Sequence, residues 1–142
     1  MHHAETIMQA VLANLQNLAT TGSNVARGRS YSVDVTPAIR LHQGADEVID
    51  GGQSVAFIAR ELNVKIIAYV KTGAQFDSEL NAIREEVYAA MMADRTQGQG
   101  FVFDTLPAGD DEPEESAGDQ TIGQQQINFI IHYRHSVTDP GA

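Results

Sequence analysis

An α+β fold, with an antiparallel or mixed sheet and two helices packed on one face, is what the sequence predicts, on three observations. Two segments carry apolar residues at three- and four-residue spacing, two others alternate apolar with polar residues, and the order runs helix, strands, helix, strands. At 142 residues, 42% apolar and 20% charged, the chain suits one domain spanning 1–142 with a core large enough to fold on. Neither an internal repeat nor a linker divides it.

From Ala4 to about Leu18, the residues Ile7, Val11, Leu12, Leu15 and Leu18 fall on one helical face, and Glu5 suits the positive end of the helix dipole. Thr20-Thr21-Gly22-Ser23-Asn24 then reads as a stop. Short extended segments are expected around Val25 to Val35 and Ala38 to His42, with Pro37 between them favouring an extended Thr36. Gln43 to Ser54, rich in glycine and acid, reads as a surface loop. Leu62, Val64, Ile66, Ala68 and Val70 alternate with polar neighbours in a long strand over Val55 to Lys71. Its first half loses the frame, which predicts a bulge or a change of partner near Arg60. Phe76, Leu80, Ile83, Val87 and Met91 mark a second helix, capped by Asp77 or Ser78. Phe101 and Phe103 suggest a short strand after the Gly98-Gln99-Gly100 turn, and Ile127, Phe129, Ile131 and Tyr133 a last one.

Charge narrows the function. A net charge of -10 argues against nucleic-acid binding, which needs clustered Lys and Arg to release counterions from phosphate. Seven acids and no base lie between Asp104 and Asp119, leaving the rest of the chain mildly acidic. That stretch, with Asp110, Asp111, Glu112, Glu114 and Glu115 at its centre and glycines at either side, reads as a flexible acidic loop over 107–120. Arrayed in many copies around a channel, the same acids would make a ring that repels DNA. Residues 136–142 read as a flexible tail. No apolar run approaches the roughly 20 residues of a membrane span, and the N-terminus lacks a basic region followed by an apolar one, so a cytoplasmic origin and no membrane partner are expected. The chain has no cysteine, which removes disulfides and thiolate chemistry together.

Catalytic and binding motifs are missing. There is no G-x-S-x-G elbow, Gly52-Gln53-Ser54 being most simply a loop entering a strand, and no phosphate-cradling glycine motif. His132 and His135, three apart on a strand, point to opposite faces and do not make a metal pair; His2 and His3 lie on a frayed terminus, and His42 stands alone. The acidic run lacks the spacing of a calcium loop. No cofactor and no metal are therefore expected, and the chain is not read as an enzyme. The residues that stand out are surface groups. Arg27-Gly28-Arg29 is a small basic spot that either grips an acidic neighbour through Arg27 and Arg29 or brackets a turn. Ile67 and Tyr69 lie on the face of the long strand opposite Leu62, Val64 and Ile66, where they either form an interface or are covered by the chain's own loops.

Across nearly its whole length the chain resembles the tail terminator family of long-tailed bacteriophages, also described as minor tail or tail-completion proteins. The resemblance is carried by the opening helix Ile7-Met8-Gln9-Ala10-Val11-Leu12 and the strand ending Val64-Lys65-Ile66-Ile67-Ala68-Tyr69-Val70. It continues in the helix Leu80-Asn81-Ala82-Ile83-Arg84-Glu85-Glu86-Val87, the strand Ile130-Ile131-His132-Tyr133-Arg134-His135 and the tail Thr138-Asp139-Pro140. It implies a virion protein, assembled in the host cytoplasm, that forms a homohexameric ring on the head-proximal end of the tail tube. Such a ring stops tube polymerisation and offers a surface to a head completion or neck protein, while DNA passes its lumen without specific binding. The loops, the long strand and the acidic segment would then be contact surfaces. A neck or head completion protein of the same region is the nearest alternative. From other classes stand an enzyme with dispersed residues such as Asp34, His42 and His132, and a ligand-binding domain with a cavity under the sheet.

Overall fold

The computed structural model describes residues 1–28, 35–50, 56–115 and 122–142. Helices α1 (His3–Leu15) and α2 (Phe76–Ala93) accompany strands β1 (Val25–Arg27), β2 (Ala38–Asp50), β3 (Phe57–Lys71), β4 (Val102–Asp110), β5 (Glu114–Glu115) and β6 (Ile122–Ser136). The sheet is open and mixed, in the order β1-β2-β3-β6-β4, with β5 also on β6. Among the described residues only the β1 and β2 pair is parallel. The expected α+β class with a mixed sheet is thus what the chain forms.

Strands β3 and β6, 15 residues each, pair without a break from Phe57 opposite Ser136 to Lys71 opposite Ile122. Their period of two sets Leu62, Val64, Ile66, Ala68 and Val70 beside Ile127, Phe129, Ile131 and Tyr133 on one face, all buried. Ile7, Met8, Val11 and Leu15 of α1 join these residues in one core cluster, as do Phe76, Leu80, Ile83, Val87 and Met91 of α2. The apolar stripe expected for the second helix is its buried set in full. Gly123 is needed beneath that helix, because a Cβ there would lie 2.5 Å from Phe76 Cζ and 2.9 Å from the Glu114 carbonyl oxygen.

Several expected elements differ. Gln43 to Asp50 is not loop but the second half of β2, a 13-residue strand antiparallel to β3. Glycine and acid hid it: register shifts between Gln43 and Asp46 and between Val48 and Asp50 break the alternation, and this outer wing of β2, on the sheet edge beyond its pairing with β1, leaves charged side chains in water. The second shift lies opposite Arg60 and Ala59, so the irregularity expected in β3 near Arg60 belongs to its partner strand. The segment expected over Val25 to Val35 is a strand only over Val25–Arg27, and residues 29–34, like Gly52-Gln53-Ser54, lie outside the described ones. The acidic stretch is partly structured: 107–110 belong to β4 and Glu114–Glu115 pair with Gln124 and Gly123, while 116–121 lie outside the described residues. Backbone pairing satisfies the peptide groups here while exposure keeps the carboxylates solvated.

The helix ends also shift. α1 stops at Leu15, and Leu18 packs against the core from the following turn. α2 starts at Phe76 after Gln75 with no side-chain cap, so Asp77 sits in its first turn instead of capping it. At the other end Gln97 adopts a left-handed backbone, φ 53°, and is buried. Its amide donates to the Met91 carbonyl at 2.9 Å and to Thr105 Oγ1 at 3.1 Å, and accepts from Asn14 at 2.8 Å, tying both helices to β4. The N-terminus is not frayed: His2 caps α1 through Nδ1, and His3 stacks on Phe101 at 3.6 Å, where burial holds its imidazole below the ordinary histidine value. The last residues fold back, with His3 N–H bonded to the Pro140 carbonyl and Ser136 N–H to that of Ala142.

Candidate interaction surface

The sequence-predicted site residues that the structure describes fall in three places. Arg27, on β1, donates to Glu5 of α1 at 2.7 Å, and this contact holds the Glu5 carboxyl below its usual range. The pair therefore joins β1 to α1 within the protomer, and at its exposure contributes well under 1 kcal/mol. Arg29 lies outside the described residues.

Ile67 and Tyr69 lie on the sheet face opposite the core, with Gly28, Arg40, His42, Gln124 and Gln126 around a hollow of about 330 Å³. Ile67 is itself buried, and Tyr69 half-buried. Ile67 is flanked in the sheet by Arg40 on β2 and Gln126 on β6.

The acids divide by partner. Asp110 receives Arg84 of α2 at 2.7 and 2.8 Å, and Asp111 accepts from Asn128 at 3.1 Å. Glu112, Glu114 and Glu115 are exposed. With Asp77 of α2, Glu112 and Glu115 border a hollow of about 520 Å³ whose walls include Phe76, Leu80 and Pro113. Buried Gln125 also lines it: the amide nitrogen donates to the Asp111 carbonyl at 3.0 Å, and the amide oxygen has no partner.

A fourth place, at the far end of the sheet, escaped the sequence reading. On the core face, fully buried Tyr133 donates to Asp46 at 2.6 Å, Arg60 stands 3.8 Å from the same carboxylate, and Arg60 Nε donates to His135 Nε2 at 2.8 Å. Burial first, and then Asp46, raises the Tyr133 hydroxyl above the usual tyrosine value. On the opposite face Arg134 lies 4.5 Å from the Phe57 ring centroid and 5.6 Å from that of Phe103, and all three are exposed. Three strands contribute to this patch, so no local spacing announces it. Val48 and Ile49 are exposed on the adjoining wing, inside the stretch read as loop.

Catalytic geometry does not assemble from the dispersed candidates. His132 pairs with Glu61 at 3.4 Å, while His42 pairs opposite Lys65, so they stand two strands and four β3 positions apart; Asp34 lies outside the described residues. His135 points to the other face from His132, as their spacing requires. Among the described residues no group of three or more His, Cys, Asp or Glu is placed to hold a metal ion. Among the described residues no helix is long and apolar enough to cross a membrane.

An α+β protomer built on an open, mixed sheet is thus the class the fold defines. Among solved structures, the chain is similar to one from the virion of native gene transfer agent (GTA) particle, at a TM-score of 0.64 and 11% identity, over 90% of this chain and 94% of that one. The likeness is one of fold. No protein-family model and no curated protein matches the sequence.

Proposed function

We propose that the chain is a non-enzymatic structural protein of a virion, and specifically a tail terminator: a ring at the head-proximal end of the tail tube that stops tube growth and receives the head. The observation that carries this reading is the likeness of fold to a virion chain over nearly the full length of both proteins. The order and composition of the segments, which resemble the terminator family, support the finer role.

In this reading both helices cover the sheet face that carries Leu62, Val64 and Phe129, and the wing and acidic edge are left to neighbours. The net charge of -10 suits a ring through which DNA passes without sticking. The partners are further copies of the chain, six to a ring, with the tail tube protein on one side and a head completion protein on the other.

Deleting the gene and imaging the particles tests the role. Overlong or headless tubes are the expected defect. Leaky full heads on tubes of normal length would move the chain to head completion, and intact infectious particles would remove it from the virion account altogether.

A further inference from the structure

The hollow beside α2 is an acidic socket. Among the described residues, Asp77, Glu112 and Glu115 on its border make no ion pair, and Arg84, the one base in its lining, is already held by Asp110. Beneath them the amide oxygen of buried Gln125 has no hydrogen-bond partner among the described residues, and its orientation is fixed because the amide nitrogen must face the Asp111 carbonyl. A buried acceptor without a donor is unfavourable, so a ligand bringing N–H groups gains by filling it. Apolar Phe76, Leu80 and Pro113 suit the stem of a long side chain. A planar guanidinium, with five donors, can meet the amide and the carboxylates together.

The protein carries a candidate at the other end of β6. Arg27, Arg60, Arg84 and Arg95 each face a carboxylate, and Arg40 is buried. Arg134 is exposed and, among the described residues, has no carboxylate partner: the Phe57 and Phe103 rings flank its guanidinium, leaving the edge donors unused. Exposed Phe beside Arg is the composition of an interface anchor.

We infer that Arg134 of a second copy enters the socket bordered by Asp77, Glu112 and Glu115 and donates to Gln125, with Phe57 and Phe103 closing over its mouth. Socket and plug are different surfaces of one chain, so the contact is head-to-tail and closes only as a ring or runs on as a filament. The inference rests on the self-assembly part of the proposed function and supplies its contact.

Charge exchange tests it, read by sedimentation velocity over a concentration series, with the thermal transition of each variant recorded. Arg134→Glu is expected to weaken self-association about tenfold or more. Adding Glu112→Arg and Glu115→Arg to the same chain should restore it. Lys71→Glu, the same change in net charge at an exposed site outside the socket, should leave it within about threefold of wild type, below the tenfold that corresponds to about 1.4 kcal/mol. Should Arg134→Glu fail to fold, Arg134→Gln takes its place with the same expected direction. Association unchanged by the Arg134 variants, or unrestored by the exchange, overturns the socket and leaves ring assembly standing. A wild-type chain that stays monomeric at every concentration overturns both.

Discussion

Tyr133→Phe removes one oxygen from a fully buried aromatic residue, and its cost follows from what that oxygen touches. The hydroxyl donates to Asp46 Oδ2 at 2.6 Å; Asp46 Oδ1 is buried without a hydrogen-bond partner, and Arg60 is 3.8 Å away. The hydroxyl is thus the short donor on which this carboxylate depends. A hydrogen bond to a charged group contributes about 1.5–3 kcal/mol, and Asp46 retains some contact with water, so we expect a loss of about 2 kcal/mol. For a domain of this length that is a fall in Tm of roughly 5–10 °C. Urea and thermal unfolding followed by circular dichroism would measure it, at matched protein concentration because association adds to apparent stability. In a double-mutant cycle with Asp46→Ala the two residues should couple by about 1 kcal/mol or more. A loss under about 0.5 kcal/mol, or strict additivity, would refute the claim that this pair anchors the β2 wing to β6.

Gly123→Ala drives a methyl group into Phe76 and the Glu114 carbonyl, and should cost about 1–3 kcal/mol in the same unfolding assay, with Phe76→Leu in the same chain recovering part of it. Gln97→Ala keeps a left-handed backbone and leaves Asn14, Met91 and Thr105 without their partner, so it should lose about 2–3 kcal/mol. Gln97→Gly, which relieves the backbone, should lose less, and the reverse order would refute the role given to φ 53°. Acid should destabilise in two windows. The folded His3 pKa is below 6.5, so the unfolded chain takes up that proton first and stability begins to fall near pH 6.5. Glu5 and Asp104, held below 4.5 and 3.8 by Arg27 and Arg95, contribute stability present above those values that is lost as pH drops through their lower folded ones. His3→Gln should abolish the upper window alone, as unfolding curves from pH 8 to 3 would reveal.

The sequence reading succeeded where one rule acted alone. The α2 stripe, the buried face of β3 and the alternation through Ile127 to Tyr133 each follow from a single unbroken period against one core. It failed where two effects overlapped. The shifts at Gly44-Ala45 and Ile49 moved β2 side chains between faces, so a 13-residue strand looked like a loop. Acid density in 107–115 spoke for solvation, and solvated these residues are, yet β6 still pairs with much of their backbone. Of the surface residues, Glu112 and Glu115 border the socket, Arg27 and Ile67 are engaged inside the protomer, and Arg134 went unremarked as a site. Its setting between Phe57 and Phe103 depends on a strand register that no local spacing reveals. The unmet Gln125 oxygen likewise had no signature in the sequence, because satisfaction of a side chain is a property of its neighbours.

Self-assembly into a closed ring is the central claim, and the mass of the purified protein in solution tests it most directly. Light scattering across a concentration range, with negative-stain images of the same fractions, should give one species of six copies and annular particles with a central opening. A single 15.4 kDa species at every concentration, with no annuli, would contradict it.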